Sequence, residues 1–488
     1  MDVRRSVHSA RRSMICFLPC VLFVLGSVVL RAQIANPSSA QNPFYGSVTA
    51  HPVTDETIRL SLDDAVKMGL ENNLGLKEAE NAEAIVQGEK KMALQEFLPT
   101  ITVSGGTGVF QHDLVAQGFG PGVLKKFGAF FPGGLLPTGV SLITRDDLTQ
   151  GQINFSQTLF SGPVIAGWRA AGATVRSFHY AIETARGNVV QDVATAYLRA
   201  LAAESAVDDA VAQEAADKVQ AEHAREAHLA GTVSNLDDLR AQVQLQAQVQ
   251  SRLAAENEHE KDLIQLKREI GLDPGQKIRL TDPTPYSDLA AQTEQELLTT
   301  AYQSRQDYQN LKNQIVEFRA LHSAYRSQRL PKLSFNGFWG VDTVNGAGTH
   351  GNFVAEGTLS VPIFKEASLR GDEDAAAAQL ANVQAQLTDL QVRINQQVRD
   401  AMLDVSASAK LVEVAKSNEK LAQQALSDEV ERVQAGVDDN LPLVNAQATL
   451  ASAQSNLIDS LYRYNVSKLM LARATGVIET EYRVYLGR

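Results

Sequence analysis

The motif that decides the fold is Leu98–Val103, with the sequence LPTITV, which recurs 232 residues later as Leu330–Phe335, with the sequence LPKLSF. In the first copy, a helical pattern opens at a capping box that begins with Ser61 and runs toward Phe97. An alternation of apolar and polar residues starts at Ile101. The sequence therefore changes from the period of a helix to the period of a strand at this motif.

Further segments repeat in the same order along the chain. Residues 155–160 resemble residues 359–364 at an offset of 204, and residues 230–231 match residues 435–436 at an offset of 205. The offset falls at one place only, where the first copy has a longer connection rich in glycine and proline. Such self-similarity indicates a duplicated chain. The predicted organisation is a signal peptide at residues 1–32, a first repeat at residues 33–278 and a second repeat at residues 279–488.

Each repeat is predicted to contain a β-hairpin, at about residues 99–161 in the first repeat and about residues 331–364 in the second. Apolar residues alternate with polar ones along both arms, as Ile153, Phe155 and Leu159 do on one returning strand. The predicted strands are about 10 residues long, which is the length that a membrane barrel needs. An ordinary soluble hairpin has the same alternation, so both interpretations stay open at this point.

A long helical hairpin is predicted after each β-hairpin, at about residues 163–271 and about residues 366–476. The first helix of each hairpin would have about 67 residues and extend roughly 100 Å, which no compact domain contains. A glycine in each turn supplies the left-handed conformation that ends a helix. In the second repeat, apolar residues recur at steps of three and four, as in a coiled coil. They are Leu380, Val383, Leu387, Leu390, Ile394 and Val398.

The N-terminus has the features of a secretory signal peptide. Basic residues, among them Arg11 and Arg12, precede an apolar run from Met14 to Leu30, and Ala32 marks the expected cleavage site. A single membrane anchor is the alternative, because the run is at the short limit for a spanning helix. Cleavage would remove both cysteines and leave 40 basic and 55 acidic residues, a net charge of −15.

Composition narrows the class of protein. Of the 488 residues, 44% are apolar and 6% aromatic, and the net charge is −11. The apolar content argues against disorder, and the acidic balance argues against binding to nucleic acid, which favours a basic surface. No motif for catalysis, a cofactor or a metal is found. The histidines are scattered, and His223 and His228 are five residues apart, not the four that would align two ligands on a helix.

An exported chain of this sequence could enter a membrane only through closed β-barrel strands, because no stretch of 18 apolar residues follows Leu30. Four strands per chain cannot close such a barrel, since the smallest membrane barrels have about eight. We therefore expect the chains to pool their strands in an oligomer. A trimer would supply twelve strands together with a wall of helices.

A family resemblance rests on short segments that recur in the same order in the two halves. In the first half they are Leu62–Val66, Glu71–Asn73, Leu98-Pro99, Gln157–Phe160 and Ala230–Thr232. Together they resemble the TolC-type outer-membrane efflux protein family over about residues 58–480. The resemblance implies an α+β fold. It would be a trimeric 12-stranded outer-membrane β-barrel, with four strands per chain, continued by a long α-helical coiled-coil barrel across the periplasm.

The resemblance also implies a function without chemistry of its own. The protein would be the outer-membrane channel of a tripartite efflux pump, a passive exit duct for small toxic compounds or drugs. The homotrimer would lie in outer-membrane lipid and work with a periplasmic adaptor (a membrane fusion protein) and an inner-membrane transporter. Two alternatives are kept. One is an outer-membrane duct of a type I protein secretion system, and the other is a soluble periplasmic coiled-coil scaffold.

The turns between the long helices are the predicted adaptor contacts. In the family, a Val-Gly-Leu or Val-Gly-Thr turn accepts the helical hairpin of the adaptor. The corresponding turns here have alanine in place of the valine and retain the glycine. The resemblance therefore assigns adaptor contact to Gly231, Thr232, Gly436 and Val437. These glycines also fit the ordinary role of ending a helix.

The periplasmic constriction is predicted near the same turns. The family carries acidic residues six and nine positions after the second glycine, where this chain has Pro442 and Asn445. In a trimer, other carboxylates near the turns would lie close together, repel one another and attract cations. Ordinary capping carboxylates are the alternative. The candidate constriction residues are Asp237, Asp238, Asp438, Asp439 and Asn445.

Overall fold

The computed structural model of the chain describes residues 42, 44, 46–48, 51–113, 143–290, 292–344, 348–435 and 440–487. The chain divides into two units, Met1–Pro37 and Ser38–Arg488, and all of the described residues belong to the second unit. The predicted signal peptide, residues 1–32, lies outside the described residues.

Two series of elements follow one another in the same order. The first series consists of β1 (Ile58–Leu60), α1 (Leu62–Asn72), α2 (Leu74–Gln95), β2 (Thr100–Asp113), β3 (Ile143–Phe160), α3 (Gly162–Leu229) and α4 (Asn235–Ile270). The second consists of β4 (Ile278–Leu280), α5 (Glu294–Ser304), α6 (Gln306–Arg326), β5 (Lys332–Val344), β6 (Gly348–Ser360), α7 (Glu366–Gln434) and α8 (Asn440–Thr475), and α9 (Ile478–Leu486) follows. The described chain is mostly helical, and none of its helices is both long enough and apolar enough to cross a membrane.

Corresponding helices start and break in the same way. Ser61 forms a capping box at the start of α1, and Thr293 forms one at the start of α5. Each box binds backbone N–H groups that have no partner within the helix. A single residue in an extended conformation, Asn73 or Arg305, then separates the first two helices of each series. Local sequence thus gives both series the same short helix followed by a longer one.

The hairpin strands form one antiparallel sheet in the order β2, β3, β5, β6. The two hairpins join where β3 pairs with β5, with Ile153 opposite Trp339. The strands have 13 to 18 residues, more than the predicted length of about ten. The strands extend beyond the segments in which apolar and polar residues alternate. Polar residues there, such as His112, still pair with the neighbouring strand, because the hydrogen bonds between strands need only backbone groups.

The two faces of this sheet differ in polarity, since successive side chains point to opposite faces. On the polar face, Asn154 Nδ2 donates to Ser104 Oγ over 3.1 Å, and Ser156 Oγ donates to Asn336 Oδ1 over 2.9 Å. The other face is apolar and exposed in the single chain. It includes Ile101, Val103, Ile153, Trp339 and Phe353.

The coiled-coil seam predicted on α7 is buried. Val383, Leu390, Ile394 and Val398 are each at most 5% exposed, and Leu380 and Leu387 are partly buried. Ile394 and Val398 share an apolar cluster with Leu469 of α8 and Val193 of α3. Burial of one such side chain stabilises the fold by roughly 1.5–3 kcal/mol. The seam therefore holds the long helices of the two series together.

A short parallel pair of strands, β1 and β4, also joins the two series, with Ile58 opposite Ile278. Tyr197 of α3 is fully buried beside this pair. Its hydroxyl lies 3.1 Å from the carbonyl oxygen of Leu60 and 2.8 Å from Asp282 Oδ2. One buried phenol thus links a long helix to β1 and to Asp282, two residues after β4, because a buried hydroxyl requires polar partners.

Glu269 of α4 is a buried acid, 1% exposed. Gln265 Nε2 donates to its Oε1 over 3.2 Å, whereas its Oε2 has no hydrogen-bond partner among the described residues. Burial raises the pKa of Glu269 to about 8, and the charge of Asp192 adds to the rise. Burial also raises the pKa of Asp192 to about 6, against the opposing charge of Arg473. Glu269 is therefore largely protonated at neutral pH.

Replacing Glu269 by glutamine is expected to reduce the pH dependence of stability. The carboxyl of the unfolded chain titrates near 4.5, so a rise in pH toward 8 progressively favours the unfolded wild type. Glutamine does not titrate. When the pH is raised from about 5 to about 7, the free energy of unfolding of the wild type should fall by roughly 2–3 kcal/mol relative to that of Glu269→Gln.

Urea unfolding of the detergent-solubilised protein at the two pH values measures this gain. Glu260→Gln is the control, because Glu260 is exposed on the same helix, and it should change the free energy by less than about 0.5 kcal/mol. The same pH dependence in wild type and Glu269→Gln would contradict the assignment of Glu269 as a neutral buried acid.

Candidate functional site

The tip of the first helical hairpin is a Schellman motif. The backbone N–H of Gly231 donates to the carbonyl oxygen of His228, and that of Thr232 donates to the carbonyl oxygen of Ala227, both over 2.9 Å. The hydroxyl of Thr232 also donates to the Ala227 carbonyl oxygen, over 2.9 Å. Gly231 has φ +77°, the left-handed conformation in which glycine avoids the cost of a Cβ atom. The predicted contact residues Gly231 and Thr232 therefore shape the turn.

The tip is also open and apolar. A Cβ atom added to Gly231 would meet nothing within 4 Å, so the turn leaves room for a partner to approach its backbone. Exposed apolar side chains surround it on both helices: Leu229, Val233, Leu236, Leu239 and Val243. Leu229 is 78% exposed and Val243 is 68% exposed. Clustered apolar side chains at the end of a polar helical hairpin are typical of a protein-docking surface.

The two aspartates that follow this turn have local partners. Ser234 caps α4, and its hydroxyl donates to Asp237 Oδ2 over 2.6 Å, while Arg240 Nη1 lies 3.3 Å from Asp237 Oδ1. The hydrogen bond from Ser234 is the main cause that lowers the pKa of Asp237. Asp238 is 8% exposed and accepts from Gln242 Nε2 over 2.8 Å. Asp237 thus bonds to the residue that caps α4, whereas Asp238 bonds to a side chain one turn along the helix, and the constriction role stays a prediction.

Most of the second tip lies outside the described residues. Gly436, Val437, Asp438 and Asp439 are among the residues left undescribed. On the described side of the turn, Asn445 lies near the start of α8 with its side chain exposed. The structure therefore describes the second tip only through α7 and α8, the helices on either side of the turn.

Sequence reasoning missed a second group of polar residues, a buried cluster around Arg305. Its guanidinium binds Asp307 Oδ2 over 2.6 Å and donates to Gln397 Oε1 over 2.7 Å and to the carbonyl oxygen of Ala474 over 3.1 Å. Arg473 lies half-buried nearby, and loss of solvent around it lowers its pKa. In the sequence, only the position of Arg305 between two helical segments indicated that this residue is important. The cluster fixes the end of α8 against α6 and α7.

Sequence comparison assigns the chain to a family. The profile of the outer membrane efflux protein family matches residues 65–272 and residues 297–477, which together make up more than half of the chain. The chain belongs to the outer membrane efflux protein family. The first matched segment runs from α1 to the end of α4 and the second from α5 to the end of α8, and the TolC-like resemblance is confirmed. No curated protein matches the sequence significantly.

Solved structures of outer-membrane channels have a fold similar to that of this chain. The CmeC channel of Campylobacter jejuni is 17% identical, with a TM-score of 0.69 over 90% of this chain and 92% of CmeC. VceC of Vibrio cholerae is 15% identical, with a TM-score of 0.67 over 85% of this chain and 96% of VceC. The open MtrE channel of Neisseria gonorrhoeae is 17% identical, with a TM-score of 0.68 over 88% of this chain and 95% of MtrE.

Membership in the outer membrane efflux protein family settles the class of the protein. It is a transport channel of the outer membrane, not a member of an enzyme family. The mainly helical fold, with two long helical hairpins next to a four-stranded sheet, fits an outer-membrane location with helices that extend into the periplasm. A soluble periplasmic scaffold does not fit an outer-membrane family.

Proposed function

We propose that three copies of the chain form one outer-membrane duct, the exit channel of a tripartite efflux pump. The observation that carries the proposal is the open four-stranded sheet. Within the described residues, β2 and β6 are edge strands with a neighbour on one side only. Unpaired backbone groups are costly in lipid, so a membrane sheet must close. Three sheets of four strands give an even, antiparallel barrel of twelve strands, which satisfies this rule.

The polarity of the sheet supports the same architecture. The apolar face that carries Val103 and Trp339 would contact lipid, and the polar face that carries Ser104 and Asn154 would line the pore. A membrane barrel needs this division along every strand. The exposed apolar residues of the tip would be covered by a periplasmic adaptor, which in turn would connect the duct to an inner-membrane transporter. Small toxic compounds would pass through the duct without chemical change.

Deletion of the gene tests this function. Cells that lack the channel should become several-fold more susceptible to unrelated small toxic compounds, and the gene restored on a plasmid should reverse the effect. The proteins in the culture medium should stay the same. Loss of one secreted protein, with unchanged susceptibility, would instead indicate a duct for type I protein secretion.

Gly231→Asn tests the adaptor contact without disturbing the turn. Asparagine tolerates the left-handed conformation, and the open space around Gly231 accepts its side chain. The amount of channel in the outer membrane should stay unchanged, while susceptibility should rise toward that of the deletion. Gly348→Asn is the matched control, since Gly348 also has a positive φ, +85°, but lies in the hairpin of β5 and β6. Equal susceptibility of the two variants would contradict adaptor docking at Gly231.

We propose further that acidic residues near the tips line the periplasmic constriction. Three copies of Asp438 and Asp439 would add negative charge at one narrow end, which favours cations. Removing both charges with Asp438→Asn and Asp439→Asn should reduce the cation selectivity of single channels in a planar bilayer. Asp237→Asn is expected to have a smaller effect, because the charge of that carboxylate is already paired with Arg240. Unchanged conductance and selectivity in the double variant would refute a constriction at these residues.

A further inference from the structure

A cleft lies between three of the long helices, α3, α7 and α8, close to the C-terminal end of α8. It has a volume of about 460 Å³, which is in the range of cavities that bind small molecules. On one side, Gln191 Nε2 of α3 donates to Met470 Sδ of α8 over 3.2 Å. Ala401 of α7 and Ala474 of α8 add apolar surface. The cleft therefore offers space for a molecule with an apolar body.

The cleft opens on the side of the long helices that faces away from the short helices. Met402 and Val405 of α7 pack against the apolar cluster that contains Leu297 of α5. Asp404 lines the cleft, and it lies about 200° around the helix axis from Met402, because each residue of an α-helix adds about 100°. In the proposed duct the short helices lie outside, since the passage must stay open. The cleft then faces the passage.

Arg473 of α8 supplies a positive charge in the wall of the cleft. Its Nε and Nη2 donate to Asn188 Oδ1 over 3.1 Å and 2.5 Å, so both bonds go to a neutral partner. Among the described residues, no carboxylate forms an ion pair with this guanidinium. Asp192 and Asp307 influence the pKa of Arg473 only from a greater distance, and Asp307 is already bound by Arg305. The charge of Arg473 is thus held in place without a carboxylate of its own.

Two carboxylates line the part of the cleft that α7 forms. Asp400 and Asp404 are four residues apart, so they lie next to each other on one face of the helix. Both side chains are exposed, and neither has an ion-pair partner in the part of the chain that the structure describes. Like charges at this spacing repel one another, and a cation bound beside them would relieve the repulsion.

Arg473 does not pair with Asp400 or Asp404, although all three residues line the cleft. Asn188 holds the guanidinium of Arg473 toward α3. On α7, the side chain of Gln397 is bonded to Arg305 instead. The positive and negative charges of the cleft therefore stay separated, and a ligand that carries both charges can bridge them.

We infer that this cleft binds elongated zwitterions, which are small molecules with an apolar body, a carboxylate at one end and an ammonium group at the other. Arg473 binds the carboxylate, because a guanidinium presents several N–H donors to two carboxylate oxygens. Asp400 and Asp404 bind the ammonium group, and Met470 contacts the apolar body. This inference rests on the duct proposed above and names a class of compound that its wall recognises.

Calorimetric titration of the purified full-length channel in detergent tests the site. The probe is an aminomethyl biphenyl carboxylate, a rigid zwitterion with its charges at opposite ends. Its controls are two analogues, each of which lacks one charged group. The zwitterion should bind at least about tenfold more tightly than either analogue, because each charged contact strengthens binding. Equal affinities of the three compounds, or no binding at all, would overturn the inference.

Variants identify the residues that hold each end of the probe. Arg473→Gln should weaken binding of the zwitterion at least about tenfold and leave the cationic analogue unaffected. Asp400→Asn with Asp404→Asn should weaken the zwitterion as much and leave the carboxylate analogue unaffected. Because both aspartates are exposed, the double variant keeps the inference testable even if Arg473→Gln does not fold.

Arg463→Gln is the matched control. Arg463 is a second arginine of α8, 67% exposed and paired with Asp459, and it does not line the cleft. Its loss should leave the affinity for the zwitterion unchanged. Wild-type affinity in both the Arg473 variant and the double aspartate variant would show that the probe binds elsewhere and would overturn the site.

The oligomeric state of the same preparations separates this inference from the proposed function. Trimers that do not prefer the zwitterion over its analogues would overturn the site and leave the duct intact. A chain that stays monomeric in detergent would instead refute the proposed duct itself.

Discussion

Arg305→Ala is expected to lower the free energy of unfolding by about 3–5 kcal/mol, because it removes the buried partner of an ion pair that also binds a backbone carbonyl oxygen. The Arg305 side chain is only 7% exposed. Burial by itself would raise the pKa of Asp307, but the hydrogen bond and the charge of Arg305 outweigh it and hold that pKa below its usual value. The variant would leave the Asp307 carboxylate and the Ala474 carbonyl oxygen without this donor.

Denaturant unfolding of the solubilised channel measures the loss, and the amount of channel in the outer membrane should fall with it. Arg399→Ala is the control. Arg399 pairs with Glu294 over 2.8 Å but is 68% exposed, so its loss should cost less than about 1 kcal/mol. Similar losses of unfolding free energy in both variants would contradict a large contribution of the Arg305 cluster to stability.

Gly476→Ala is expected to destabilise the fold by about 2–5 kcal/mol through two effects that add. Gly476 has φ +80°, which costs an alanine about 1–2 kcal/mol. An added Cβ atom would also lie 2.8 Å from the backbone nitrogen and Cα of Arg305. Because backbone atoms cannot swing aside, the overpacking adds roughly 1–3 kcal/mol.

Gly231→Ala separates the two effects. Gly231 has nearly the same φ, +77°, but a Cβ atom there meets nothing within 4 Å. It should therefore lose only about 1–2 kcal/mol in the same unfolding measurement. If Gly476→Ala were no more destabilising than Gly231→Ala, the close approach of α8 to Arg305 would carry no energetic weight.

The long elements could be predicted because their pattern is local and repeated. The heptad spacing of Val383, Leu390 and Ile394 identifies the buried seam without knowledge of its partner. The helix observed at Gly162–Leu229 begins one residue before the predicted start near Pro163. A capping serine and a turn glycine define such ends through contacts within a few residues of one another.

The strands β1 and β4 were missed because three residues show no periodicity. A signal did exist, since Ile58–Leu60 and Ile278–Leu280 both read IRL. The importance of Arg305 could not be predicted, because its partners Gln397 and Ala474 come from distant parts of the chain. The roles of Gly436, Val437, Asp438 and Asp439 stay predictions, as do the boundaries of the two repeats.

In the proposed duct, three chains close one barrel in the outer membrane. The most direct test is the mass of the purified channel in detergent, determined by light scattering with the contribution of the detergent subtracted. We expect a mass three times that of the mature chain, because three chains with four strands each give the proposed closed barrel of twelve. A single species with the mass of one or two chains would contradict it.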